Sequence, residues 1–327
     1  MEQCRRGISV AADESCSRDD RRPVLTSKES NRADQKRTSV TARILDGKGL
    51  AAQVEREVAA QAASLIKRYG VSPALAAVLM GDDPASVLYV KRKAEAFGRA
   101  GMRSETFHLP ASTSEAELLA LIADLNARPD IHGILPQQPM PAHINPRTVF
   151  ERVDPAKDVD GLGPINMAAL LVGRPRLVPC TPAGIMRLLE HAGIDVAGKD
   201  AVVIGRSVIV GRPMALLLLQ ANATVTMCHT RTRELTEHTR RADLLVVAAG
   251  KARLVTGEMV KLGAVVVDVG TNRVDGKLAG DVDFASVSER AEWITPVPGG
   301  VGPMTIAMLL RNTVQAAESQ MRSARTV

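Results

Sequence analysis

Apolar positions follow two rhythms along the chain, a helical spacing and short unbroken runs. The helical spacing appears first at Val54, Val58, Ala62, Leu65 and Ile66, which predicts a helix over residues 50–69 closed by Gly70. A run over 75–80 reads as a buried strand, and Gly81-Asp82-Asp83-Pro84 as a turn. A helix over 86–99 closing at Gly101, a strand over 105–109, a helix over 115–126 and a strand over 131–135 follow. Ser112-x-x-Glu115 reads as the capping box of the third helix. Strands alternating with helices imply a parallel sheet with right-handed crossovers.

The rhythm returns after Pro179-Cys180-Thr181-Pro182, read as a break before a helix over 183–192. The run 201–204 ends at Gly205, Arg206-Ser207 turns, and Pro213 opens a helix to residue 220. Further strands are expected over 224–227, 244–248 and 265–269. Residues 295–304 are too rich in Gly and Pro for any regular element. A last helix over 305–317, apolar at Ile306, Leu309, Leu310 and Val314, is expected to pack back on the first unit. The chain is thus read as α/β, with two α/β domains and a cleft between them. Residues 41–178 and the returning helix 303–320 form the first domain. Residues 179–302 form the second, a Rossmann-like doubly wound parallel sheet. Residues 1–40 are polar, without apolar periodicity, and read as a disordered tail.

Composition narrows the class. The 327 residues are 45% hydrophobic but only 2% aromatic, and no apolar run approaches the roughly 20 residues of a membrane span. Four scattered cysteines and six histidines show no ligand spacing, so no metal and a reducing, cytoplasmic setting are expected. The net charge of +6 favours anionic substrates. Without aromatic interleaving it does not read as a nucleic-acid surface.

Strand, small-residue turn and helix N-terminus at 201–213 make an anion site from free N–H groups and the helix dipole. In NAD-binding folds an acid stands roughly 20 residues beyond the glycines for the ribose hydroxyls. Here that place is Cys228-His229-Thr230-Arg231-Thr232-Arg233, with no acid. Arg206 and the Thr230 hydroxyl instead suit a 2′-phosphate, which points to NADP.

Three other groupings carry possible chemistry. Tyr89 and Lys93 share a helix face, either as part of a solvated basic edge or as a phenol and a burial-tuned amine lining a cleft. Gln137 follows a strand end, where open α/β sheets bind ligands, or is a loop amide tied to its own backbone. Asp158 and Asp160 stand two apart before Gly161. Spacing alone leaves a metal, a donor-rich heterocycle edge and a surface turn all open.

Together these stretches resemble the bifunctional methylenetetrahydrofolate dehydrogenase/cyclohydrolase family. The resemblance is carried by Tyr89-Val-Lys-Arg-Lys93, Gly133-Ile-Leu-Pro-Gln-Gln-Pro-Met-Pro141, Lys157-Asp-Val-Asp-Gly161, Pro179-Cys-Thr-Pro-x-Gly184, Gly205-Arg-Ser-Val-Ile-Val-Gly-Arg-Pro213, Asp268-Val-Gly-Thr-Asn272 and Thr295-Pro-Val-Pro-Gly-Gly-Val-Gly-Pro-Met-Thr305. It implies NADP-dependent oxidation of 5,10-methylenetetrahydrofolate and hydrolysis of the methenyl product to 10-formyltetrahydrofolate. It also implies that Lys93 is the main hydrolytic group, supported by Gln137, with Asp160 on the pterin and Tyr89 lining the cleft. Pro298, Gly299 and Gly300 would touch substrate. Gly205, Arg206, Ser207, Thr230 and Thr271 would contact the nucleotide, in a homodimer. Pro136 and Gln138 depart from the family's usual valine and leucine, Thr271 from isoleucine and Thr230 from serine. The rival readings are a dehydrogenase that has lost hydrolysis and a non-catalytic NADP sensor.

Overall fold

The computed structural model describes residues 41–324. Residues 1–40, read as a disordered tail, lie outside them. In chain order, β1 is Arg43–Ile44, α1 Gly47–Tyr69, β2 Ala74–Met80, α2 Pro84–Arg99, β3 Arg103–Leu109, α3 Glu115–Ala127 and β4 Gly133–Pro136. Then come α4 Pro146–Arg152, α5 Pro164–Leu171, α6 Cys180–His191, β5 Asp200–Ile204, α7 Gly211–Gln220, β6 Thr224–Cys228, α8 Leu235–Thr239 and β7 Leu244–Val247. The chain ends through β8 Val265–Asp268, β9 Asn272–Val274, β10 Lys277–Ala279, α9 Phe284–Ser288, β11 Trp293–Ile294 and α10 Val301–Ala324. Among the described residues no helix is long and apolar enough to cross a membrane.

Two parallel sheets organise these elements. One has three strands in the order β3-β2-β4, the other six in the order β1-β11-β8-β7-β5-β6. The order reverses at β5, which lies between β6 and β7, so a crevice opens beyond the ends of β5 and β7. Alternate residues of each strand enter different cores, as a strand's period of two requires. Leu75, Ala77 and Leu79 share one core with Val203, Val246 and Val267. Ala74, Ala76 and Val78 instead meet Leu118, Ile122 and Leu125 of α3. The shared core runs through α1, α6 and α10, which join the two sheets.

Several element boundaries differ from those expected. The third helix is capped by Ser114 and Glu117, not Ser112 and Glu115: Glu117 N–H donates to Ser114 Oγ, and Ser114 N–H to Glu117. Helix α6 begins at Cys180 and α10 at Val301, inside the stretches read as a break and as irregular. Pro182, Pro303 and Pro213 each lie in a first turn, where a missing N–H leaves no intrahelical bond unmade. Arg43 and Ile44 pair with Trp293 and Ile294, so the first described strand joins the six-stranded sheet rather than its nearer neighbour in sequence. The last helix does pack on α1, α2, β2 and β4, as expected, and equally on α6.

Pro136 costs the small sheet nothing. Ile134 N–H points to Lys157 O, at 2.8 Å, and Gln137 N–H to Val78 O, at 2.8 Å. Residue 136 shares the direction of 134 and faces away from the ladder with β2. An edge strand tolerates proline on that side.

Candidate active site

Helix α2 is set by Asp83, whose carboxylate accepts from the N–H and hydroxyl of Ser86, both at 2.8 Å, with Pro84 in the first turn. One turn on, Tyr89, Arg92 and Lys93 follow at spacings of three and four. Tyr89 sits where two lobes of one cleft meet. The smaller lobe, about 380 Å³, is lined by Tyr89, Lys93, Gln137, Gln138, Thr181 and Thr271 among others. The larger, about 680 Å³, includes Tyr89, Thr271, Pro298, Gly299 and Gly300.

Lys93 is only 9% exposed. Burial lowers its pKa below the ordinary lysine value, opposed by the charge of Asp160. Its Nζ donates to Gln137 Oε1 at 2.9 Å. Of the two readings left open for Lys93, the buried amine in a cleft is the one observed. Gln137 is likewise not merely tied to its own backbone.

The two aspartates do not act as a pair. Asp158 is buried and anchors a loop, accepting from Leu162 N–H, Gly163 N–H and Asn166 Nδ2 at 2.8–3.2 Å. Asp160 instead acts on Lys93 and Cys180. Lys157, beside them, donates to the carbonyls of Leu125, Asn126 and Arg128 and closes the C-terminus of α3. With Asp158 saturated and turned inward, the metal reading loses its second ligand.

Sequence reasoning missed the residues that hold this frame. Asn312 Nδ2, on α10, donates to Val159 O at 2.8 Å and Val178 O at 2.9 Å, which fixes the segment carrying Asp160. Cys180 is buried there, and desolvation followed by the Asp160 charge pushes its thiol well above the ordinary range. It is therefore a packing group rather than a nucleophile. A polar residue within the apolar stripe of a C-terminal helix is the only signal Asn312 offered.

On the other wall, Asp268 accepts from the N–H groups of Gly270, Asp281 and Val282 at 2.9–3.0 Å. Burial pushes its pKa up to about 6 against those bonds. Asp281 accepts from Ala249 N–H, Gly250 N–H and Asn272 Nδ2. The two carboxylates fix the loop that brings Thr271 to both lobes.

The expected nucleotide loop lies beyond β5. Gly205 has φ of 119°, and a Cβ there would stand 2.2 Å from Ala248 O, so only glycine allows β5 and β7 to end this close. Ser207 Oγ accepts from Val210 N–H at 3.1 Å and closes the turn. Arg206 is exposed, and its guanidinium makes no bond among the described residues; only its carbonyl is used, by Arg212 Nε at 3.1 Å. At the end of β6, Cys228 is buried and Thr230 exposed. Gly205, Arg206, Ser207 and Thr230 line neither lobe, but Ile209 and Val210 of the same loop line the smaller one. An uncommitted cation, a glycine-only approach and no acid fit a phosphorylated dinucleotide.

Gln138 is the departure with an energetic consequence. Its Nε2 is buried and has no partner among the described residues. An unpaired buried donor costs about 1–3 kcal/mol. Gln138→Leu is expected to raise Tm by about 2–4 °C per kcal/mol recovered, for a chain of this size. A thermal melt checks it, and an unchanged Tm would show the amide to be satisfied.

The family description "Tetrahydrofolate dehydrogenase/cyclohydrolase, catalytic domain" matches residues 45–160, and its "NAD(P)-binding domain" counterpart matches residues 179–321. The bifunctional protein FolD of Methylibium petroleiphilum is 55% identical over 280 residues, covering 85% of this chain and 99% of the relative. That of Moorella thermoacetica is 56% identical over 277 residues, covering 84% and 99%. Among solved structures, the bifunctional FolD dehydrogenase/cyclohydrolase of Campylobacter jejuni has a TM-score of 0.83 at 50% identity, covering 85% of this chain and 99% of its own. The Trypanosoma brucei enzyme, solved with NADP cofactor and inhibitor, has a TM-score of 0.82 at 39% identity, covering 87% and 99%.

Proposed function

The chain belongs to the tetrahydrofolate dehydrogenase/cyclohydrolase family, and from that premise we propose how its cleft divides the work. It is a bifunctional enzyme of one-carbon metabolism. It oxidises 5,10-methylenetetrahydrofolate with NADP and hydrolyses the methenyl product to 10-formyltetrahydrofolate. The observation that carries our assignment of roles is the buried Lys93 held by Gln137 in the smaller lobe.

NADP, when bound, supplies the hydride acceptor. Gly205, Arg206, Ser207, Thr230 and Thr271 would hold it, with residues 179–302 as its domain. Oxidation leaves a cation shared between two nitrogens of the substrate, so this step needs positioning more than a base. Asp160 would accept from the donor edge of the pterin, and Tyr89, Pro298, Gly299 and Gly300 would confine the rest.

Hydrolysis needs protons moved. Water adds to the methenyl carbon and loses a proton; then the bond from that carbon to N5 breaks, N5 takes up a proton, and the remaining hydroxyl gives up its own proton as it becomes the formyl carbonyl. Neutral Lys93 Nζ can accept the first proton and deliver the second, leaving one proton released overall. The Gln137 carbonyl, at 2.9 Å, keeps the amine directed at this point. The reading extends to a cytoplasmic homodimer: the family resemblance supports the dimer, and the scattered cysteines support the compartment.

The test follows nucleotide reduction and the methenyl compound together, with either NADP or NAD. Reduction with NADP and little methenyl build-up is the expected result. Methenyl accumulating to the uncatalysed limit would leave only a dehydrogenase. No reduction with either nucleotide would overturn the reading.

A further inference from the structure

Resting on the folate reading, we infer that Asp281 is a positioning residue for hydride transfer. It ties the loop beside the nucleotide turn to the segment that carries Thr271 into the reaction lobe. Asp281 lines neither lobe and is fully buried, at 0% exposure. One oxygen of its carboxylate accepts from Ala249 N–H at 2.6 Å and Gly250 N–H at 2.8 Å, just past β7. The other accepts from Asn272 Nδ2 at 2.8 Å, next to Thr271. Each of these partners is a neutral N–H donor, and no cation pairs with Asp281 among the described residues. A carboxylate is costly to bury unless donors fill its oxygens, and here the donors are the two loops themselves.

The place of the two loops gives these bonds their consequence. On one side, the close approach of Gly205 to Ala248 O puts Ala249 and Gly250 next to the nucleotide turn. On the other, Thr271 lines the smaller lobe with Lys93 and Gln137. The strand order runs β5, β7, β8. A dinucleotide held at Gly205 and Arg206 therefore crosses the ends of β7 and β8 to bring its redox ring to a one-carbon bridge at Lys93. Asp281 sets the separation of the two ledges it crosses.

Asp281 is itself held from behind. Its own N–H donates to Asp268 at 2.9 Å, and Val255 N–H donates to its carbonyl at 3.1 Å. A Cβ at Gly270 would stand 2.3 Å from Asp281 N, and one at Gly280 1.8 Å from Asp268 Oδ2, so the backbone packs here at distances only glycine allows. A carboxylate fixed in this way dictates where the loops stand rather than following them. Hydride transfer is sensitive to that placement, since a displacement of about 1 Å can cost on the order of a hundredfold in rate. Hydrolysis uses no nucleotide, and Asp281 bonds to none of Lys93, Gln137 and Asp160.

The test measures Asp281→Asn and Asn272→Ala beside wild type, with single turnovers started from the methylene and from the methenyl compound. The amide of Asp281→Asn keeps the size of the carboxylate and can still accept from Ala249 and Gly250, but it then turns its NH2 on Asn272 Nδ2. Asn272→Ala cuts the same link from the other end and leaves Asp281 in place. Both variants are expected to lower the dehydrogenase rate at saturating nucleotide roughly ten- to a hundredfold. The loss should be equal for NADP and NAD, so the preference between them stays at its wild-type value. Hydrolysis of the methenyl compound is expected to stay within a few-fold, which also reports that the variants are folded. Equal losses of both activities in Asn272→Ala would make the link a support of the fold alone and overturn the positioning role. A wild-type dehydrogenase rate in both variants would overturn it as well. Failure of wild type to reduce either nucleotide would instead count against the folate reading itself.

Discussion

Lys93→Met is expected to abolish hydrolysis while dehydrogenation persists. The amine is the one group in the smaller lobe that is buried, basic and held by a neutral acceptor, through the 2.9 Å bond to Gln137. Proton transfer by a positioned side chain contributes roughly 10²–10⁴-fold, and a loss of that order is the expected fall in the cyclohydrolase rate. Hydride departure uses no base, so the dehydrogenase kcat and the affinity for NADP should stay within a few-fold. Single-turnover assays started from the methenyl and from the methylene compound separate the two. Hydrolysis at the wild-type rate would remove Lys93 from the mechanism.

The pH dependence follows from the same burial. Desolvation favours the neutral amine, so the pKa of Lys93 lies below the usual 10.5 despite the opposing charge of Asp160. Neutral Lys93 is the base. The hydrolytic rate should therefore rise as pH increases through that lowered pKa and fall on acidification, with no matching limb in the dehydrogenase. For folding, the native state binds fewer protons here than the unfolded chain between the lowered value and 10.5. Stability from this group thus grows with pH across that window, and Lys93→Met removes that slope.

The sequence made the strands and the first-wall chemistry legible because both are local. Unbroken runs such as Val-Val-Val at 265–267 can only be buried strands, and the i, i+4 spacing of Tyr89 and Lys93 places both on one face. What it concealed depends on contacts between distant segments. Nothing near Asp158 and Asp160 reveals that one is consumed by loop N–H groups and the other faces Lys93. That division is set by Asn166 and by Asn312, the latter more than 150 residues along the chain. Helix starts were misread for a related reason. Gly and Pro disfavour helix interiors, but the first turn needs no internal N–H bonds, so Val301-Gly-Pro can open a 24-residue helix. The single-residue register of the Ser114–Glu117 cap is likewise invisible where Ser112, Thr113 and Ser114 compete for one role.

Arg206→Ala is expected to narrow the preference for NADP over NAD by roughly ten- to a hundredfold. A hydrogen bond to a charged group is worth about 1.5–3 kcal/mol, and each 1.4 kcal/mol is a factor of ten in affinity. The change should appear almost wholly as weaker NADP binding, because NAD offers the guanidinium no 2′-phosphate. Arg206 is suited to the role because no other group among the described residues claims its guanidinium. Its side chain is exposed beside the glycine-only turn, its carbonyl alone is engaged, by Arg212, and residues 229–233 after β6 hold no carboxylate to neutralise it. Thr230, exposed at the end of β6, can add a hydroxyl but no charge. Removing it should therefore shift the ratio far less than removing Arg206. Titration of both nucleotides against wild type and Arg206→Ala measures the effect directly. An unchanged ratio would mean the phosphate is read elsewhere, with Arg231 and Arg233 on the same exposed loop as the next groups to replace.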